Sequence, residues 1–321
     1  MAVYTQVSDE ALSAFLGKYD LGVPLSFKGI AEGVENSNYY METTKGRFIL
    51  TLFEKRVAPK DLPYFIELKR HLAARDYPCP QPVLARDGEA LQELEGRPAL
   101  VVTFLDGLSP RHPNAHQCHE LGAALARMHA ALADFEGIRP NALGPASWPV
   151  LWQGRASTAE ALQPGLAALI DADLAAIASA QSETSRLPSG TIHADLFPDN
   201  AFFLGDRFSG AIDFYFACTD VLAYDLAVCI NSWAFEGGTE YNFSKGANLI
   251  AGYESVRPLR DAEREDLPLL CRGAALRFFL TRLVDWTDTP ADALVRPKNP
   301  MEYAGRLAFH RMAKSPRDYG A

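Results

Sequence analysis

Between residues 26 and 54, "SFKGIAEGVENSNYYMETTKGRFILTLFE", apolar and polar positions alternate on both sides of "TTKG". Alternation sends successive side chains to opposite faces, so the pattern predicts two antiparallel strands joined by a hairpin turn. A short acidic helix is predicted upstream, over residues 8–17. Downstream the period changes. In "PKDLPYFIELKRHLAAR", Phe65, Leu68 and Leu72 fall on one face of a helix, and "PCPQPV" stops it because proline cannot continue one. Two more strands are expected around "VLARDG" and "PALVVTFLDG".

From about residue 115 the pattern becomes mostly helical. "HQCHELGAALARMHAAL" is amphipathic, and "STAEALQPGLAALIDADLAAIASA", "DLAVCINSWAF" and "CRGAALRFFLTRLVDW" read as further helix. Only "NAFFLGDRFSGAIDF" interrupts them, as a short β hairpin turning at "GDRFSG". The fold class predicted is α+β: a small antiparallel β-sheet lobe over residues 1–103 and a larger, mostly helical lobe over 104–321, joined near 103–107.

Composition narrows the functions. The formal charge of −9 argues against a general binder of nucleic acid or anionic membrane, since either needs a basic surface. Five scattered cysteines with no C-x-x-C pair read as reduced thiols. The N-terminus has no basic start followed by an apolar run, and the apolar stretches are short, so a soluble cytoplasmic protein is expected.

The chemistry concentrates in "TIHADLFPDN", residues 191–200, which fits H-x-D-x-x-x-x-N through His193, Asp195 and Asn200. "AIDF" then places Asp213 beyond the short hairpin. Phosphoryl transfer needs this combination: a carboxylate to accept a hydroxyl proton, and a carboxamide oxygen with a second carboxylate to hold Mg²⁺ against phosphates. The alternative is structural, with Asp195 and Asp199 capping turns and His193 filling a core niche.

"HADLFPDN" with "AIDF" resembles the motifs of the aminoglycoside-phosphotransferase and choline-kinase superfamily, relatives of protein kinases. Longer stretches, among them "GIAEGVENSNYYMETTKGRFILTLFEKR", "DLPYFIELKRHLA", "PCPQPV" and "LRFFLTRLVDW", resemble the homoserine kinases of the bacterial, kinase-like type. The resemblance implies a two-lobed, protein-kinase-like fold, with ATP and Mg²⁺ as cofactors and L-homoserine as substrate. It makes Asp195 the catalytic base, His193 a brace for its loop, and Asn200 and Asp213 the Mg²⁺ ligands. Thr103 to Leu105 become the hinge whose backbone meets the adenine edge. Asp225 becomes a tether of the catalytic loop, a role compatible with the simpler one of helix N-cap.

The protein-kinase pattern also breaks. Thr51 stands where a strand lysine is expected, and Phe65 where its glutamate partner would fall. Lys55 is a candidate phosphate cation, or only a charge at a strand end. No G-x-G-x-x-G is present; Gly29 and Gly33 either shape a looser phosphate lid or belong to a plain hairpin. Ala194 replaces the arginine of the catalytic loop, and Tyr215 the glycine of D-F-G, which points to a kinase without a phosphorylation-controlled activation loop.

For the substrate, Arg282 is the candidate carboxylate anchor, against a surface ion pair. Asn36 and Asn38 are candidates for closing over phosphate or substrate. Two competing functions remain: a same-fold kinase for an aminoglycoside, choline or an aminosugar, and a nucleotide-binding pseudokinase.

Overall fold

The structure, a computed structural model, describes residues 4–30, 36–54, 57–184, 186–290 and 296–321, with 181–184 as backbone. It divides into two compact units, one of residues 1–106 with 210–215 and one of 107–209 with 216–321.

The first unit is built on a five-stranded antiparallel sheet. Its strands are β1 (Pro24–Gly29), β2 (Asn36–Thr43), β3 (Gly46–Phe53), β4 (Leu91–Leu94) and β5 (Arg97–Thr103), in the order β1-β2-β3-β5-β4. β2 and β3 form the hairpin around "TTKG", with Tyr39 opposite Leu50 and Met41 opposite Phe48. The period of two sorts the strands onto two faces. Met41, Leu50, Leu52, Ala99 and Val101 pack with Leu12, Phe15 and Leu16 of helix α1 (Asp9–Leu16). Phe53, Leu100 and Val102, with Ile49, pack instead with Leu62 and Ile66 of helix α2 (Leu62–Ala73) and with Tyr215. Burying each of these aliphatic side chains contributes about 1.5–3 kcal/mol.

One strand expectation fails. "VLARDG" is not a strand: Pro82 makes only an isolated bridge to Val102, and the fourth strand is the later "LQEL". Only Val83 donates to β5, to the Val101 carbonyl at 2.9 Å; from Ala85 the chain turns on itself, with the Ala85 N–H on the Glu89 carbonyl and Gly88 at φ +87.

The second unit is mainly helical. Its helices and strands in chain order are α3 (Ala115–Ala131), α4 (Trp148–Trp152), α5 (Ala156–Leu162), α6 (Leu166–Thr184), β6 (Ser189–Ile192), β7 (Ala201–Leu204), β8 (Arg207–Ala211, its last two residues counted with the first unit), β9 (Cys218–Val221), α7 (Leu222–Trp233), β10 (Phe235–Glu236), β11 (Glu240–Tyr241), α8 (Phe243–Glu254), α9 (Asp261–Asp288) and α10 (Met301–Met312). β6 pairs with β9, β7 with β8 and β10 with β11. The helix pattern from 157 to 180 splits into α5 and α6 at Pro164-Gly165, where Gly165 has φ +82.

Helix α3 opens with a capping box between Asn114 and Gln117 and lies close against α8. At that crossing a methyl on Gly122 would run into the Leu249 carbonyl, and one on Gly252 into the His119 carbonyl. The core helix α7 is buried almost throughout. Beside it runs α9, 28 residues and thus about 42 Å long. Asp173 on α6, fully buried, holds α9 and α10 through Arg272 at 2.5 Å and Arg311 at 2.5 Å. Among the described residues no helix is long and apolar enough to cross a membrane.

Candidate active site

The loop His193–Asn200 runs from β6 to β7, and its shape begins with an unfavourable backbone angle. Ala194 has φ +63, a left-handed conformation that costs a non-glycine residue roughly 1–2 kcal/mol. The surroundings hold it there. Asp225, fully buried on α7, accepts the His193 N–H on Oδ2 at 2.7 Å and the Ala194 N–H on Oδ1 at 2.8 Å. From the other side, Arg277 of α9 donates to the Ala194 carbonyl at 2.9 Å. Farther along, the Leu196 carbonyl accepts from the Trp233 indole at 2.9 Å.

Asp225 is the hub of a longer buried chain. His129 of α3 meets its Oδ2 through Nε2 at 3.1 Å and the Tyr253 hydroxyl through Nδ1 at 2.9 Å. Arg257 donates to that hydroxyl at 3.1 Å and pairs with buried Glu263. Burial alone pushes the Asp225 carboxyl upward. The hydrogen bond and field of His129, with those of His193, outweigh it and hold the carboxyl below the usual carboxylate range. Asp225 is not an N-cap: α7 begins three residues earlier, with Val221 as the cap residue.

These restraints place Asp195 with a partly exposed carboxylate while His193 is sealed from solvent. Arg277 is 4% exposed, stacks 4.0 Å from the Phe278 ring centroid and sits 3.7 Å from Asp195 Oδ1. A permanent positive charge therefore flanks the carboxylate. Asn200 donates its amide nitrogen to the Asp195 carbonyl at 2.8 Å, so its carboxamide oxygen faces the opposite way.

Asp213 belongs to the other unit, within the segment 210–215, and has φ +61, a second left-handed non-glycine residue beside a motif. Non-glycine residues in such conformations collect at functional sites. Tyr215 packs edge-on to Phe53 and Phe65, at 5.3 and 5.5 Å between ring centroids. Burial pushes its phenol well above the usual range, and the charge of Asp213 adds to the shift. Lys69 of α2 is 4% exposed and holds its Nζ 4.8 Å from the Tyr215 ring centroid. Burial draws its ammonium below the usual lysine range, while Cys79 and Asp213 pull it back.

The remaining candidates fall as follows. Asn36 accepts the Glu54 N–H at 3.4 Å and Asn38 the Thr51 hydroxyl at 2.8 Å, so both amides serve the β2–β3 ladder. Gly29 ends β1 and is exposed. Gly33 and Lys55 lie outside the described residues. Thr103 closes β5 and accepts the Gln81 N–H at 2.9 Å. Leu105, two residues on, makes no backbone N–H bond to another described residue. Arg282 donates from one nitrogen to the Asn299 carbonyl at 3.1 Å and to Glu302 at 2.7 Å, over the Tyr303 ring.

With this geometry, comparison with known proteins becomes decisive. The model of the phosphotransferase enzyme family matches residues 26–259. A homoserine kinase of Hyphomonas neptunium is 69% identical, with both chains covered in full. The chain belongs to the homoserine kinase family. Another member, from Methylobacterium radiotolerans, is 57% identical over 100% of this chain and 99% of its own. The fold is shared more widely: an amicoumacin kinase solved with AMP-PNP, Ca²⁺ and amicoumacin superposes with a TM-score of 0.65 at 15% identity, covering 95% of this chain and 92% of that one.

Two residues of this homoserine kinase family member escape a reading of motifs alone: His129 and Lys69. Each is a charged or titratable residue on the buried side of a helix. The signal that could have found them is the helical period. Lys69 lies four residues after Phe65 and three before Leu72, on the stripe that the apolar residues define.

Proposed function

We propose that this chain catalyses transfer of the γ-phosphoryl group of ATP to the side-chain hydroxyl of L-homoserine, giving O-phospho-L-homoserine for threonine biosynthesis. The observation that carries the substrate is 69% identity to a homoserine kinase across the whole of both chains. Asp195 is the base. Its carboxylate takes the hydroxyl proton as the substrate oxygen bonds to the γ-phosphorus and ADP departs with the electrons of the broken P–O bond. The loop needs no rearrangement to present this carboxylate, because Asp225 and Arg277 already fix the backbone before it. His193, sealed beneath the loop, braces it.

Asn200 and Asp213 hold Mg²⁺. Their fit rests on donor chemistry: a carboxamide oxygen turned away from its own hydrogen-bonded nitrogen and a carboxylate, both hard oxygen donors of the kind Mg²⁺ takes alongside phosphates. When bound, the ion neutralises phosphate charge. Thr103 and Leu105 offer hinge backbone to the adenine edge, and Gly29, at the end of β1, serves the phosphate side. Arg282 anchors the substrate carboxylate: Glu302 and Asn299 engage only one of its terminal nitrogens, leaving the Nε–Nη2 edge for bidentate recognition. Asn36 and Asn38 support the strand that precedes the phosphates.

The test is ADP release with Mg-ATP and, separately, L-homoserine, L-serine, choline and kanamycin. Homoserine-dependent turnover of about 1–100 s⁻¹ is expected. Turnover with choline or kanamycin alone would replace the substrate, and none with any acceptor would leave a pseudokinase.

A further inference from the structure

We infer that Lys69, carried on α2, is the fixed cation that the phosphates of ATP meet in the β-rich unit, a role that protein kinases give to a strand lysine. The inference rests on the kinase function proposed above.

The strand position has been surrendered. Thr51 takes it, and its hydroxyl donates to Asn38 across the ladder and also interacts with Tyr215. The helix position for the matching glutamate is also apolar: Phe65 lies there, edge-on to Tyr215. One turn later on the same helix face stands Lys69. A neutral residue therefore occupies the strand and a cation the helix, whereas protein kinases put the cation on the strand and a carboxylate on the helix.

Lys69 is too costly to be packing material. It is 4% exposed, and it makes no side-chain hydrogen bond or ion pair with another described residue. The face of Tyr215, 4.8 Å away, offsets only part of the cost of withdrawing an ammonium from water. The Cys79 thiol supplies no counter-charge near neutrality, because burial pushes it up to about 11. Asp213 does act on Lys69, but it is the residue assigned to Mg²⁺. A buried cation that has no ion-pair partner among the described residues and feels a metal-binding carboxylate is the charge pattern of a site completed by a polyanion, and the triphosphate of the co-substrate is the polyanion that this reaction brings.

The experiment compares the full-length wild type with Lys69→Met, which keeps the unbranched stem and removes the charge. Mg-ATP affinity is measured by calorimetric titration and the nucleotide-free melting temperature by circular dichroism. Lys69→Met is expected to weaken Mg-ATP at least about tenfold, as loss of one charged phosphate contact should. It should melt no lower than wild type, since an uncompensated buried charge is gone. Equal affinities for ATP would overturn the inference while leaving the kinase function intact. A variant that no longer folds would also overturn it, by making Lys69 a structural group. A wild type that binds no ATP would bring down the kinase function itself.

Discussion

Asp225→Ala is the most informative single perturbation of the catalytic loop, because one carboxylate carries three contacts. It accepts the His193 and Ala194 N–H groups and meets His129 Nε2, all in a fully buried setting. Each donor left buried without an acceptor costs about 1–3 kcal/mol. Ala194 would also lose the bond that holds its left-handed φ. Part of this is offset because a buried carboxylate no longer has to be desolvated, so the net loss should be about 3–5 kcal/mol. Urea unfolding followed by circular dichroism at pH 7.5 measures it. Since the Asp225 carboxyl is held below its ordinary value, its contribution is present in full above the unfolded carboxylate range and is lost as pH falls through the folded value. The gap between wild type and variant should thus stay constant from pH 6 to 8 and begin to close below about pH 4. In the fraction that remains folded, kcat should fall on the order of 100-fold, because a displacement of about 1 Å at Asp195 is enough. A loss under about 1 kcal/mol with normal kcat would refute the tether.

Other consequences are as direct. Burial, with Arg306 and Arg272 nearby, draws His310 down to about 3, so between that value and about 6.5 the unfolded chain binds a proton that the folded chain refuses. Stability should fall as pH drops below about 6.5, by at most about 1.4 kcal/mol per pH unit from this residue, and His310→Gln should flatten the slope of the urea midpoint against pH. Arg277→Met strips the donor from the Ala194 carbonyl and the charge beside Asp195; steady-state kinetics should show kcat reduced about 10- to 100-fold with the KM for ATP little changed. Arg282→Ala should raise the KM for homoserine at least about tenfold and leave that for ATP alone, and wild-type values for both would move the carboxylate anchor elsewhere.

The sheet of the first unit could be anticipated because its strands alternate cleanly around "TTKG", and alternation has a single geometric meaning. "VLARDG" misled because it looks apolar enough for a strand, while its Asp87-Gly88 turn folds the Ala85 N–H onto Glu89 after a single bond to β5, and the less obvious "LQEL" forms the ladder. The short pairs β6–β9 and β10–β11 had no visible period, being four and two residues long. In the site, Asp195 and Asn200 stand out by spacing within one loop. Arg277 does not, because "LRFFLTRL" offers two arginines, and only packing decides that the first lies against the loop while the second reaches Glu302. Asp225 admitted two meanings in sequence. Its place in the first turn of α7, past the cap position, together with its bonds to His193 and Ala194, separates them.

The central claim is that this chain phosphorylates homoserine through Asp195. A rapid-quench single turnover with γ-labelled Mg-ATP and L-homoserine, run on wild type and Asp195→Asn, tests it most directly. The account predicts labelled O-phosphohomoserine from wild type within about a second, and a rate lower by a factor of at least about 100 in the variant with ATP affinity retained. Label transfer at the wild-type rate by Asp195→Asn, or none from wild type to homoserine, would contradict it.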